Sequence, residues 1–233
     1  MPQKVRSGAY RTNGRAIISI VTPSHSITRE RILDCGTNLL SKSGMSGVTV
    51  GTLAERTGMS KSGLFAHFGS KDKLQIRLLE RATEIAAESV VRPAMAVPEG
   101  LPRLVALVHN WLGWTQRAGL DGGCPVAAGL FELDDCEGPV RDRLLQMEQQ
   151  WRALLGQLVK RAMALKHLRK DLDVDQFVWE LCGIYLSHHA SLRFVRDQKA
   201  NKRAATAFEA LVARALPTLK PIKSATRTRR RKK

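Results

Sequence analysis

Apolar residues recur at three- and four-residue spacing along most of this chain, and no stretch shows the strict alternation or β-branched richness of a strand. The pattern predicts an all-α fold of about nine helices. Between Val48 and Leu74 two short helical patterns are broken by Thr57-Gly58-Met59. Thr49 is placed to cap a helix over 50–56, and Ser60 to cap one over 61–68. Leu53 and Met59 fill the core between the pair, Ala54 suits a close helix crossing, and Gly58 suits a turn that calls for positive φ. Ser70 caps a long helix predicted to reach about Val91 and end before Pro93, with Leu74, Leu78 and Ile85 on its stripe. A helix over 101–117 carries Leu104, Leu107, Val108, Trp111 and Trp114, Gly119 to Pro125 is a loop, and a short helix follows over 126–133. Pro139 opens a helix to about Lys166 that buries Leu144, Met147, Trp151, Leu154, Leu158 and Met163. Asp173 caps a helix over 174–196, and a final helix covers about 202–215.

In the 61–68 pattern, Leu64 and Phe68 lie four apart on the buried face, which leaves Lys61, Ser62, Gly63, Ala66 and His67 outward. A face of small and basic residues can enter a major groove, with Ser62 offering a hydroxyl and Gly63 letting the backbone come close. Lys71 and Lys73 sit at the start of the next helix, whose N-terminal N–H groups also favour a phosphate. This is the layout of a helix-turn-helix.

From about Thr28 to Leu74 the chain resembles the tetracycline-repressor (TetR) family of bacterial transcriptional regulators. The resemblance rests on Gly44, Val48-Thr49, Leu53-Ala54, Gly58, Ser60-Lys61-Ser62-Gly63-Leu64-Phe65, His67-Phe68 and Ser70-Lys71-Asp72-Lys73-Leu74. Family members usually carry a tyrosine where this chain has Phe65, so one hydroxyl contact to the DNA backbone is missing here, while ring stacking on sugar atoms remains available. The resemblance implies an N-terminal three-helix DNA-binding domain and a larger C-terminal helical domain that dimerises and holds a small ligand. It also implies binding of double-stranded DNA at a palindromic operator. The residues expected to meet DNA are Thr49, Lys61, Ser62, Gly63, Phe65, Ala66, His67 and Lys71.

The charge balance, 38 Lys+Arg against 21 Asp+Glu for a net +17, agrees with a nucleic-acid partner. Much of the excess lies at the ends. Residues 1–27 carry Lys4, Arg6, Arg11 and Arg15 and no acid, and residues 217–233 end in Arg229-Arg230-Arg231-Lys232-Lys233. The expected organisation is therefore a basic disordered arm over 1–27, the DNA-binding domain over 28–74, a sensing and dimerisation domain over 75–216 and a basic disordered tail over 217–233. An architectural DNA binder driven by the two tails is the alternative, with steep salt dependence and little sequence preference.

An enzyme would need a nucleophile with its base, paired carboxylates or a phosphate loop, and the sequence shows none. Glu132, Asp134 and Asp135 are neighbours that do not face one another on a helix. No cofactor is implied. The apolar run Ala16 to Val21 is far short of the roughly 20 residues of a spanning helix, so no membrane partner and a cytoplasmic location are expected. Cys35, Cys124, Cys136 and Cys182 lack metal or disulfide spacing, and His188-His189 has no ligand-spaced companion, so no metal is expected.

An unknown small-molecule effector is expected between the sensor helices. Trp111, Trp114, Phe131 and Trp151 are the candidate wall, although such residues more often belong to a core. Cys124, at a helix start, is either a thiolate sensor or a small residue packed in a turn. The last two helices carry Phe177, Leu181, Tyr185, His188, Phe208, Leu211 and Val212, which form either core or a four-helix bundle across a homodimer twofold. A dimer also has a physical reason, since one reading helix covers only half of a palindrome.

Overall fold

A computed structural model describes residues 23–217, with side chains from Thr28 onward; the basic segments at the two ends lie outside this range apart from Pro23 to Ile27 and Pro217. The first helix, α1 (Pro23–Gly47), starts inside the stretch expected to be an arm, and its regular course breaks at Gly44, where φ is +68°. α2 (Val50–Thr57) and α3 (Lys61–Phe68) follow, and with α1 they make a three-helix head. Ile32, Leu33 and Leu40 of α1, Leu53 of α2 and Leu64 of α3 are almost fully buried, each contributing roughly 1.5–3 kcal/mol of burial free energy. The head's core does not stop at residue 74. Leu74, Leu78 and Leu79 of α4 (Lys71–Ala86) belong to it, and so do Val140, Leu144 and Met147 of α9 (Pro139–Ala164).

Eleven α-helical segments occur among the described residues, against about nine expected, because two helices read as continuous are interrupted. After α4 the chain passes through a π-turn, Ala87–Val91, into α5 (Arg92–Met95), so Pro93 does not end the rod. The wider turn sends the Arg92 N–H to Ala87. This relieves the clash that proline makes with a carbonyl one α-turn back. Ser89 Oγ donates to the Ile85 carbonyl (2.7 Å) and Asn110 Nδ2 to that of Val90 (3.3 Å), so carbonyls in and before the turn gain side-chain partners. The second break separates α6 (Leu101–Trp111) from α7 (Trp114–Arg117). Leu112 is extended and Gly113 left-handed (φ +70°), which re-aims Trp114 into the interior.

α8 (Pro125–Glu132) leads into α9. α10 (Val174–Ala190) is capped by Asp173, whose Oδ1 accepts the Gln176 N–H at 3.0 Å, and continues through a π-turn, Ser191–Val195. α11 (Ala200–Ala215) packs along α10. A second core fills the space among α6, α9, α10 and α11 around Leu104, Leu107, Leu155, Val159, Phe177, Leu181 and Phe208.

Candidate nucleic-acid interface and ligand cleft

The head is built by local hydrogen bonds that its sequence specifies. Thr49 Oγ1 accepts the Thr52 N–H and Thr52 Oγ1 accepts the Thr49 N–H, both at 3.0 Å, a reciprocal capping box on α2. Gly58 closes α2 in the left-handed region (φ +68°), and its N–H returns to Ala54 and Glu55. Ser60 Oγ accepts the Gly63 N–H (3.0 Å) to cap α3, and Ser70 Oγ accepts the Lys73 N–H (3.1 Å) to cap α4. Leu64 and Phe68 turn inward, while Lys61, Ser62, Phe65 and Ala66 are exposed and Gly63 and His67 half-buried. A β-carbon on Gly51 would lie 3.5 Å from Thr49 Oγ1 and 3.7 Å from Lys61 Cε, so the starts of α2 and α3 share one surface. Thr49, Lys61 and Ser62 meet there, and Phe65 and Ala66 extend it along α3. Lys71 is exposed at the start of α4. Gly51 was not flagged by the sequence; a β-carbon there would make only ordinary contacts with Thr49 and Lys61.

A cleft of about 270 Å³ opens in the C-terminal part between α4 with its π-turn, α6, α8, α9 and α10. Trp111, Trp151 and Tyr185 form its aromatic end. Trp111 stacks on Tyr185 with ring centres 3.9 Å apart and meets Trp151 in a tilted edge contact at 4.8 Å. Behind this end, Trp114 donates its indole N–H to Tyr185 Oη (2.9 Å). Val126, Ala127 and Leu130 of α8 make the opposite wall, and Glu148 is the one charged side chain among the described residues that line the cleft.

The same helix α8 is tied at both ends to α1 of the head. Before it, the Asp121 N–H donates to Asn38 Oδ1 (2.8 Å), the Asn38 amide to Asp121 Oδ2 (3.0 Å), the Gly122 N–H to Ser41 Oγ (3.1 Å) and the Gly123 N–H to the Ser41 carbonyl (2.8 Å). At its last residue, Glu132 Oε2 accepts the Met45 N–H at 2.7 Å. Gln75 Nε2 of α4 donates to the Met45 carbonyl at 3.2 Å. A β-carbon at Gly44 would overlap the Glu132 carboxylate, so the break in α1 and the carboxylate that fits against it depend on each other.

Residues 32–78 match the bacterial regulatory proteins of the tetR family, and residues 100–208 match the tetracyclin repressor-like C-terminal domain. The chain belongs to the TetR family of transcriptional regulators. The chain is 28% identical over 172 residues to the nucleoid occlusion factor SlmA of Sodalis glossinidius, covering 73% of this chain and 84% of that one. Over 63 residues it is 36% identical to the HTH-type transcriptional repressor AcnR of Corynebacterium efficiens, 27% of this chain and 34% of that one. A TetR transcriptional regulator from Chloroflexus aurantiacus superposes with a TM-score of 0.74 at 23% identity, over 82% of this chain and 96% of that one, which shows the shared fold.

In this TetR-family chain the candidate ligand residues divide. Trp111 and Trp151 line the cleft, whereas Trp114 and Cys124 stand behind it and Phe131, 62% exposed, is not in its lining. Burial pushes the Cys124 thiol up, against the helix-start N–H groups of Ala127 and Val126 that pull it down, so the packed-turn reading is the one that fits. Tyr185, Cys182 and Glu148 are cleft residues that the sequence did not assign there. Glu148 was the legible one, because a carboxylate three residues before Trp151 and beside Met147 falls on the apolar stripe of α9.

The dimer candidates need correction. Phe177, Leu181, Tyr185, His188, Phe208 and Leu211 are buried inside a single subunit, and Val212 is half-buried against the same core. Their stripes face each other because α10 and α11 pack as a pair. His188 Nε2 lies 2.7 Å from Asn201 Oδ1 within that pair, and no cluster of metal-ligating side chains occurs among the described residues. The outer side of α10 and its π-turn instead presents Trp179 (66% exposed), Gly183, Ser187 and Ala190 of the helix and Phe194 (89% exposed) of the turn at three- and four-residue spacing. On α11 the exposed positions include Ala207, Ala210 and Ala213. No helix among the described residues is long and apolar enough to cross a membrane.

Proposed function

We propose that this regulator is a cytoplasmic, dimeric repressor that acts by binding and not by catalysis, releasing a palindromic operator when a small effector enters the cleft. The observation that carries the reading is the double duty of α8, which forms a cleft wall through Val126, Ala127 and Leu130 and is hydrogen-bonded to α1 at both ends. An effector that fits only one position of α8 has different affinities for the two placements of the head, which is the condition for shifting the equilibrium. Thr49, Lys61, Ser62, Gly63, Phe65, Ala66, His67 and Lys71 are assigned to DNA, and the outer faces of α10 and α11 to the twofold.

Selection of bound sequences from random duplex DNA, with full-length protein at one near-physiological salt concentration, tests it. Recovery of one palindrome with half-sites about one helical turn apart, or a multiple of it, is the expected result. Recovery of no motif would replace the repressor by a charge-driven duplex binder. A second arm carries Gly63→Asp, which puts a carboxylate on the reading face and is expected to abolish selection of the palindrome while leaving the dimer intact.

A further inference from the structure

The geometry points to a hydrophobic organic cation as the ligand of the cleft: an ammonium or similar positive group among the rings of Trp111, Trp151 and Tyr185, balanced by the carboxylate of Glu148. The inference rests on the cleft being the effector site and adds the chemical class that it selects.

Three observations converge on it. The first is the ring arrangement. Trp111 sits between a parallel Tyr185 and a tilted Trp151, so the three rings gather at one end of the cleft. Electron-rich ring faces attract cations, most strongly when water is excluded. The second is charge. Glu148 is the only charged side chain lining the cleft among the described residues, and its side chain is 15% exposed. It lies one helical turn before Trp151 on the same face of α9, within reach of a positive group lodged against that ring. No lysine, arginine or histidine lines the space to receive a carboxylate or phosphate.

The third is the state of the other polar groups. Tyr185 Oη is occupied by the Trp114 N–H, and Thr83 Oγ1 donates to the Glu80 carbonyl (2.7 Å). The Cys182 thiol is pushed up to about 11, first by burial, so it remains protonated and offers no anionic partner. Trp151 Nε1, buried without a hydrogen-bond partner, can donate to an acceptor on the ligand, and Glu148 supplies the one charge of the lining among the described residues. Glu148 Oε1 accepts the Arg152 Nε at 2.7 Å, and Arg152 stands outside the lining with 38% of its side chain exposed. The pair sets a sign for each partner: Glu148 attracts a bound cation, and Arg152 competes with it for the carboxylate.

Three probes of matched shape separate charge from size in calorimetric titrations of the full chain: phenethyltrimethylammonium, its neutral carbon isostere 3,3-dimethylbutylbenzene, and 3-phenylpropionate. The ammonium is expected to bind about tenfold tighter than the isostere, in keeping with a desolvated cation–ring contact, and the carboxylate to bind weakest. Glu148→Gln, which keeps the shape, should bring the ammonium and the isostere to within about twofold of each other. Arg152→Gln should move the ammonium the other way, to tighter binding, and serves as an independent variant if Glu148→Gln does not fold. Equal or tighter binding of the neutral or anionic probe, no binding of the ammonium, or weaker ammonium binding in Arg152→Gln would overturn the assignment. Operator affinity measured beside each probe separates the two readings. Selective ammonium binding that leaves operator affinity unchanged removes the effector role and keeps the ligand class. Operator release by the neutral or anionic probe alone does the reverse.

Discussion

Gly58 shows how far one residue can be argued from chemistry alone. It stands at φ +68° with no atom within 4 Å of where a β-carbon would be, so a substitution there meets backbone strain and no clash. Gly58→Ala is therefore expected to cost about 1–2 kcal/mol of unfolding free energy by urea titration, and Gly58→Asn less, since asparagine tolerates the left-handed region. Equal losses for the two would mean that packing, not backbone conformation, fixes the turn. The cysteines give a second test at this scale. Cys136 is exposed, while Cys124 and Cys182 are buried with thiols raised by desolvation. A raised value means the protonated thiol persists to higher pH, and the thiolate is the reactive form. At pH 8, an aromatic disulfide reagent should label Cys136 fast and Cys124 and Cys182 only as the fold opens; fast labelling of Cys124 would restore the sensor reading. The caps at Thr49, Ser60, Ser70 and Asp173 were legible because each depends on residues within one turn. The environment of Cys124 was not, because Tyr185 comes from a distant helix and Trp114 returns to it across the intervening loop.

Among the elements, α8 has the most consequential surroundings. Its preceding loop reads in sequence as Gly-rich punctuation, yet it docks on α1 through backbone N–H groups. Gly122 and Gly123 are adjacent but answer to different neighbours. A β-carbon on Gly122 would overlap the Ser41 carbonyl, which is backbone of α1, whereas one on Gly123 would come within 2.6 Å of His189 Cε1, a side chain able to swing aside. Gly122→Ala is expected to destabilise the chain by about 1–3 kcal/mol, the cost typical of forcing atoms into a packed site, and to change operator affinity because it displaces the α8–α1 contact. Gly123→Ala should do clearly less of both in thermal unfolding and operator titration. Reversal of that order would remove the loop from the coupling. Helical periodicity located α8, α9 and α10 together with its π-turn to within a few residues. It missed the π-turn before Pro93 and the break at Gly113, because the first depends on carbonyl partners such as Asn110 and the second on aiming Trp114 at Tyr185, neither of which leaves a local mark.

For the molecule as a whole, the proposed dimer needs a surface that joins two heads so that both read DNA at once. The apolar residues of α10 and α11 first suggested by periodicity are those that pack the two helices together, and periodicity cannot tell an inward stripe from an outward one when both are apolar. Burial separates them. Trp179 of α10 and Phe194 of the π-turn after it expose large rings on the outer side, with Gly183, Ser187 and Ala190 between them small enough for a second helix to approach closely. Because none of these residues supports the subunit core, charges placed there should break a dimer without unfolding its subunits. Trp179→Glu with Phe194→Glu is expected to give a monomer by analytical ultracentrifugation with unchanged helical circular dichroism. Its operator affinity should fall by at least about a hundredfold, since each head then binds a half-site without the local concentration that its twin supplies. A variant that stays dimeric would move the twofold to another face. A monomer that keeps full operator affinity would show that one head suffices, and the palindrome would lose its structural reason.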